Sequence, residues 1–156
     1  MDARHGTHPL ASVPGALALA VWSVYLLLAL MTIPDVPYRM LIAGFFGLLA
    51  CLAVLLNYRR WRFIVLLASS VYLLVYAVQV IRMTMMATDL GKSPLGALSF
   101  YYSTSWRVAA VMFQEKGVVG GLVHGFLEYA MPVLSVALIG AILMSWRSKP
   151  RVSQYR

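Results

Sequence analysis

Residues 118–144 read VVGGLVHGFLEYAMPVLSVALIGAILM. Tyrosine apart, the only ionisable side chains between Lys116 and Arg147 are His124 and Glu128. About 20 apolar residues in helical form cross a hydrocarbon core of ~30 Å, so this run predicts a transmembrane helix over 118–145. A carboxylate inside such a helix costs about 3 kcal/mol or more unless something pairs with it or wets it. The rest of the chain therefore has to supply a neighbour for Glu128.

Composition sets the solvent. The 156 residues are 62% hydrophobic and 12% charged, with a mean hydropathy of +0.80. Soluble domains carry roughly 25% charged residues, so most of this surface has to face lipid. The length suits one transmembrane domain over 1–156 and no second unit. The net charge of +8 argues for nucleic acid only where a basic face lies on a soluble surface. Here the basic residues sit at the ends of apolar runs, which points to membrane orientation and anionic headgroups instead. Cys51 is the single cysteine, so neither an intrachain disulfide nor a thiolate metal cluster can form, and a lone thiol in an apolar run packs as a small hydrophobe.

Three further apolar runs give spans at about 11–33, 40–56 and 63–86. The first begins near Pro14, where a missing N–H is harmless, and is longer than the apolar core of a signal peptide. Pro34 and Pro37 with Asp35 between them end it in a short turn, which makes the first two spans antiparallel neighbours. The loop at 57–62, NYRRWR, puts three arginines beside two interfacial aromatics, the pattern of a cytoplasmic loop. Arg4, Arg59, Arg60, Arg62, Arg147, Lys149, Arg151 and Arg156 fall on that side; Arg39, Lys92, Arg107 and Lys116 fall on the other, and Arg82 lies within the third span. This bias places both termini in the cytoplasm with four spans. The membrane is a plasma or inner membrane. The polar start, with His5 and His8, and the basic tail after Trp146 read as solvated segments.

The long connection before the last span opens with Ser93-Pro94, a helix cap followed by an N1 proline. Beyond it Ser99, Ser103, Arg107 and Gln114 recur on one side, and Leu98, Tyr102, Trp106, Ala109 and Phe113 on the other. This predicts an amphipathic helix over about 94–114 lying in the outer interface. The fold class is thus an all-α integral membrane protein, a bundle of four transmembrane helices with an interfacial helix between the third and fourth.

A polar seam joins the last two spans. Ser69, Tyr72, Tyr76, Gln79 and Arg82 recur every three to four residues, which places them on one helix face. In the last span Gly117, Gly121 and Gly125 form a stripe of small residues suited to close helix packing, with His124, Glu128, Pro132 and Ser135 beside it. Gly44 and Gly47, with Cys51, form a second small face on span two. Arg82 is expected to pair with Glu128, directly or through Gln79, His124 or water. Pro132 cannot donate to the carbonyl of Glu128, which leaves that acceptor free.

The seam is either a device that fixes helix register or a site at which Glu128 binds or relays a proton or cation. His124 is a hydrogen-bonding partner rather than a haem ligand, for the other two histidines lie in the N-terminal segment. Met83, Met85 and Met86 are weak candidates for Cu(I) and ordinary fillers of an apolar helix otherwise. No cofactor is predicted. No phosphate loop, zinc-protease motif or nucleophile elbow occurs, and only one acid is intramembrane, so hydrolytic and phosphoryl-transfer chemistry lack a basis. The function expected is an accessory or assembly subunit of a larger membrane complex, bound to other membrane subunits or to itself within the bilayer. The alternatives are a small oligomeric proton or cation carrier centred on Glu128, His124, Arg82, Gln79 and Tyr76, and, lower, a quinone- or lipid-linked enzyme or copper-handling protein.

Overall fold

The computed structural model describes residues 8–31, 38–91 and 93–147; the side chains at 31, 38–40 and 116 are outside the description. The proline turn at 34–37, the terminal segments with His5 and the basic tail, and the placements of Arg39 and Lys92 fall outside it. Every described element is helical. A short 3-10 turn, Pro9–Ala11, leads into α1 (Val13–Met31); α2 is Tyr38–Leu55, α3 is Trp61–Asp89, α4 is Pro94–Gly125, and a π-helical turn, Phe126–Ala130, passes directly into α5 (Met131–Arg147).

Three segments are long and apolar enough to cross a membrane: Val13–Leu30, Trp61–Asp89 and Gly117–Arg147. The apolar part of α2, Leu41–Leu55, is shorter. By length and composition this is an integral membrane protein. Its outside is correspondingly apolar, with Leu27, Phe45, Phe63, Leu74, Val133 and Met144 all exposed, a surface suited to acyl chains and costly in water.

Packing joins α1 to α2, α2 to α3, α3 to α5 and α5 back to α1, a closed ring of four helices. Trp22, Tyr25, Val54, Val65, Met131, Leu138 and Ile142 are buried at its centre. A Cβ added at Gly47 would run into the Trp22 ring, and one at Gly44 would meet Tyr25 at 3.9 Å. Cys51 on the same helix is buried, its Sγ 3.8 Å from Ser23 Oγ. The small face of α2 is filled by α1 of its own chain.

The α2–α3 connection is tight because helix and turn share hydrogen bonds. Asn57 takes φ 51°, Tyr58 N–H reaches back to Ala53 O at 2.9 Å, and Asn57 N–H reaches Val54 O at 3.2 Å. This is a Schellman ending with asparagine in the left-handed position that glycine usually holds. Arg59 and Arg60 are exposed on it, and the Arg62 guanidinium lies 5.5 Å from the Trp61 ring centroid.

Candidate functional site

The site is built by a chain reversal. Gly117 interrupts α4 with φ 69° and ψ −167°, a backbone region that a Cβ strongly disfavours. The segment before it, the arm at 94–116, folds back on the segment after it. Phe113 covers Gly121, where an added Cβ would overlap the ring; Ser105 meets His124; Tyr101 meets Glu128. Partner numbers rise as arm numbers fall, so the arm runs antiparallel to the last span. Of the expected small stripe, only Gly121 serves close packing. Gly117 is the break itself, and nothing lies within 4 Å of a Cβ at Gly125.

The arm presents a face that its amphipathic pattern concealed. The buried residues are Ala97, Tyr101, Ser105 and Ala109, four positions at a spacing of one turn. Of the apolar side expected to embed in lipid, Leu98, Tyr102, Trp106 and Phe113 face away from the bundle and are exposed, and Ala109 is buried against it. Three of the buried four are small, which lets the arm approach α3 and the last span, and the two hydroxyls find partners there.

A single proline organises the carbonyls around Glu128. In the π-turn Met131 N–H bonds to Phe126 O, five residues back. Leu127 O thereby loses its ordinary donor, and the next along the helix would be residue 132, which is proline and has none. Glu128 O loses its i+4 donor to the same proline. Two tyrosines one turn apart on α3 supply the replacements: Tyr72 donates to Leu127 O at 2.5 Å and Tyr76 to Glu128 O at 3.2 Å. The π-turn with its freed acceptors and the stripe on α3 are two halves of one joint.

The Glu128 carboxylate is half-buried and held from two helices. Gln79 Nε2 donates to Oε1 at 3.1 Å, and the Tyr101 hydroxyl donates to Oε2 at 2.6 Å. Burial and the neighbouring carboxylate push the Tyr101 hydroxyl far above its ordinary value, which keeps it a donor. One turn earlier, His124 Nε2 lies 3.2 Å from Ser105 O and 3.3 Å from Ser105 Oγ. Which of the two Ser105 oxygens pairs with this ring nitrogen depends on the tautomer, since the carbonyl can only accept and the hydroxyl can do either.

Arg82 does not join the site. It is exposed, and among the described residues no ion pair reaches Glu128, whose side-chain partners are Gln79 and Tyr101. The reason is its height. Gln79 already stands about 27 Å along the helix from Trp61, close to the far edge of a ~30 Å core. Arg82 lies about a turn further along the helix, a position from which a guanidinium on its long stem can reach an interface if the apolar part of the helix spans the core. Met83, Met85 and Met86 are likewise exposed. Among the described residues no three His, Cys, Asp or Glu side chains converge to hold a metal.

Sequence reasoning found Gln79, Tyr76, Tyr72, His124 and Pro132 and missed Tyr101 and Ser105. The one available signal was the four-residue recurrence of Ala97, Tyr101, Ser105 and Ala109. Below the carboxylate, Ser69 and Ser135 are fully buried with hydroxyls that lack a partner among the described residues, as does the buried Trp22 indole N–H. Counting from the contact of Tyr76 with Glu128, both serines lie about two turns inward on antiparallel helices, so they occupy one level. An apolar groove of about 660 Å³ flanks the reversal, lined by Phe113, Gly121, Gly125, Phe126, Tyr129 and Val133 among others. No protein-family profile, no curated protein and no solved structure matches the chain.

Proposed function

We propose that the chain crosses the bilayer four times with both termini cytoplasmic, and that it is an accessory or assembly subunit which binds a membrane partner without transforming a substrate. In this arrangement α2, about 27 Å long, is the additional span, and the arm at 94–116 lies at the outer interface. The observation that carries the reading is the outward face of that arm. Leu95 and Trp106 are 82% and 69% exposed, and Tyr102 and Phe113 extend the patch toward the apolar groove beside Gly125. Its opposite side is held by hydrogen bonds to Glu128 and His124, so the patch is presented by a braced helix. Aromatic anchors on a preorganised surface are the usual centre of a binding face. Gentle extraction followed by native mass measurement tests this. A stoichiometric heteromer that Trp106→Ala dissolves, with helicity unchanged, is the expected result. A monomer or homo-oligomer alone, unaffected by that change, overturns it.

A second reading, a proton carrier, draws on the column of buried hydroxyls at Ser69 and Ser135 beneath Tyr72, Tyr76 and Glu128. Unpartnered polar atoms at such depth attract water when there is room for it. Purified protein in liposomes that moves protons, and ceases to when Glu128 is changed to Gln, would favour the carrier over the subunit.

A further inference from the structure

The structure assigns a binding site for one neutral water molecule to the centre of the bundle, between the Trp22 indole N–H and the hydroxyls of Ser69 and Ser135. The inference goes beyond the subunit reading, since it concerns the inside of the ring formed by α1, α2, α3 and α5 and not the arm.

Three helices bring these groups to one level. Ser69 stands one turn below Tyr72 on the same face of α3, and Ser135 lies at the level of Ser69 on α5. Trp22 on α1 packs edge-on against Tyr72, with ring centroids 6.4 Å apart. Its orientation is fixed from the other side, where the Cε3–Cζ3 edge of the ring lies over Gly47 of α2. The opposite edge carries Nε1 and is therefore turned away from α2, on the side of α5 and α3. Trp22, Ser69 and Ser135 are each 0% exposed, and the three polar atoms lack a hydrogen-bond partner among the described residues. Their level is about 12 Å along α3 from Trp61, near the middle of a ~30 Å core, where headgroups and bulk water do not serve them.

The inventory of donors and acceptors selects the occupant. An indole N–H only donates, and a hydroxyl both donates and accepts. A water molecule accepts from Trp22, donates to one serine and takes either role with the other, which gives the three bonds typical of a buried water. A hydroxyl proton left over returns to a carbonyl one turn back in its own helix. An anion would meet donors but no compensating charge at mid-membrane, and a cation would meet the indole N–H and no carboxylate at this level. Room follows from the sizes of the side chains. This layer holds two serines with Ala68 beside them, while Val65 and Leu138, both fully buried, fill the next turn inward. Val54 and Ile142, also fully buried, close the centre beyond. The water therefore ends the polar column under Glu128 and does not continue it toward the loop at 57–62.

The test uses the full chain, with nitrogen-15 in its four tryptophans, in deuterated detergent micelles. Replacing Trp61, Trp106 and Trp146 with Phe in turn identifies the Trp22 indole resonance by elimination. Water-selective Overhauser transfer to that N–H is recorded for the wild type, Ser69→Ala, Ser135→Ala and the double variant, with a thermal midpoint for each. A shared water gives transfer in the wild type and none in the double variant. Each single change then lowers the midpoint, and the two together lower it by less than their sum, because the first already costs the water a partner. Alanine is the better helix former and leaves no polar atom behind, so hydroxyls that bind nothing give the opposite sign. Midpoints that rise or stay unchanged, or the absence of transfer in the wild type, overturn the proposal. So does an effect confined to one serine, which marks a direct bond between indole and hydroxyl. A saturable shift of the Trp22 resonance with sodium chloride and not with sodium gluconate marks an anion and overturns it as well.

Discussion

Replacing Tyr72 with Phe removes one oxygen and should expose the role of a proline on another helix. In the native chain Leu127 O accepts from Tyr72 because Met131 N–H is committed to Phe126 O and residue 132 has no N–H. Loss of the hydroxyl leaves a carbonyl short of a donor in a low-dielectric setting, at a cost of about 1–3 kcal/mol. Hydrogen bonds between membrane helices measured by double-mutant cycles reach about 1.7 kcal/mol at most, so the lower half of that range applies. The cost is conditional. With Pro132→Ala the missing N–H returns and the π-turn can relax to α-helical pairing. The N–H of Met131 can then serve the Leu127 carbonyl, and the restored N–H at position 132 can serve that of Glu128. Tyr72→Phe should then cost about 0.5 kcal/mol or less. Reversible unfolding in mixed micelles, run on the wild type, both single variants and the double variant, gives the coupling directly. A coupling of about 1 kcal/mol, with the double variant more stable than additivity allows, is the expected outcome. If the two changes add independently, the carbonyls are not what Tyr72 and Pro132 share, and the account of the joint is wrong.

Gly121→Ala should destabilise the reversal by about 1–3 kcal/mol, because the new methyl would meet the Phe113 ring, and Phe113→Ala in the same chain should recover much of the loss in a thermal melt. Gly117→Ala should cost about 1–2 kcal/mol through its positive φ alone, visible as a lower midpoint and as faster proteolysis between the arm and the last span. Arg82→Gln should leave stability within about 0.5 kcal/mol, since Arg82 is exposed and does not reach Glu128. Gln79→Leu, which removes a donor from the carboxylate, should lower stability measurably in the same unfolding assay; the opposite ranking would restore the ion pair.

Hydropathy alone made the bundle legible, since lipid admits only segments whose backbone is satisfied internally and whose side chains are apolar. That is a one-dimensional property of residues 13–30, 61–89 and 117–147, and so is the clustering of arginines in the loop at 57–62. The candidate site was half legible for the same kind of reason: a tyrosine or glutamine every turn on α3 and a proline four residues after Glu128 are patterns along the chain. The partner of Glu128 was not. Arg82 is the nearer charge by sequence logic, yet its side chain is exposed and does not reach Glu128, whose partners are Gln79 and Tyr101. Tyr101 lies on a segment whose direction depends on one glycine at φ 69°. Once the chain reverses there, the side of the arm with small residues and hydroxyls turns inward and its aromatic side turns out. Local periodicity records that the arm has two faces. Which of them meets protein is decided by the space that α3 and the last span leave between them, and by the acceptors that Pro132 has set free.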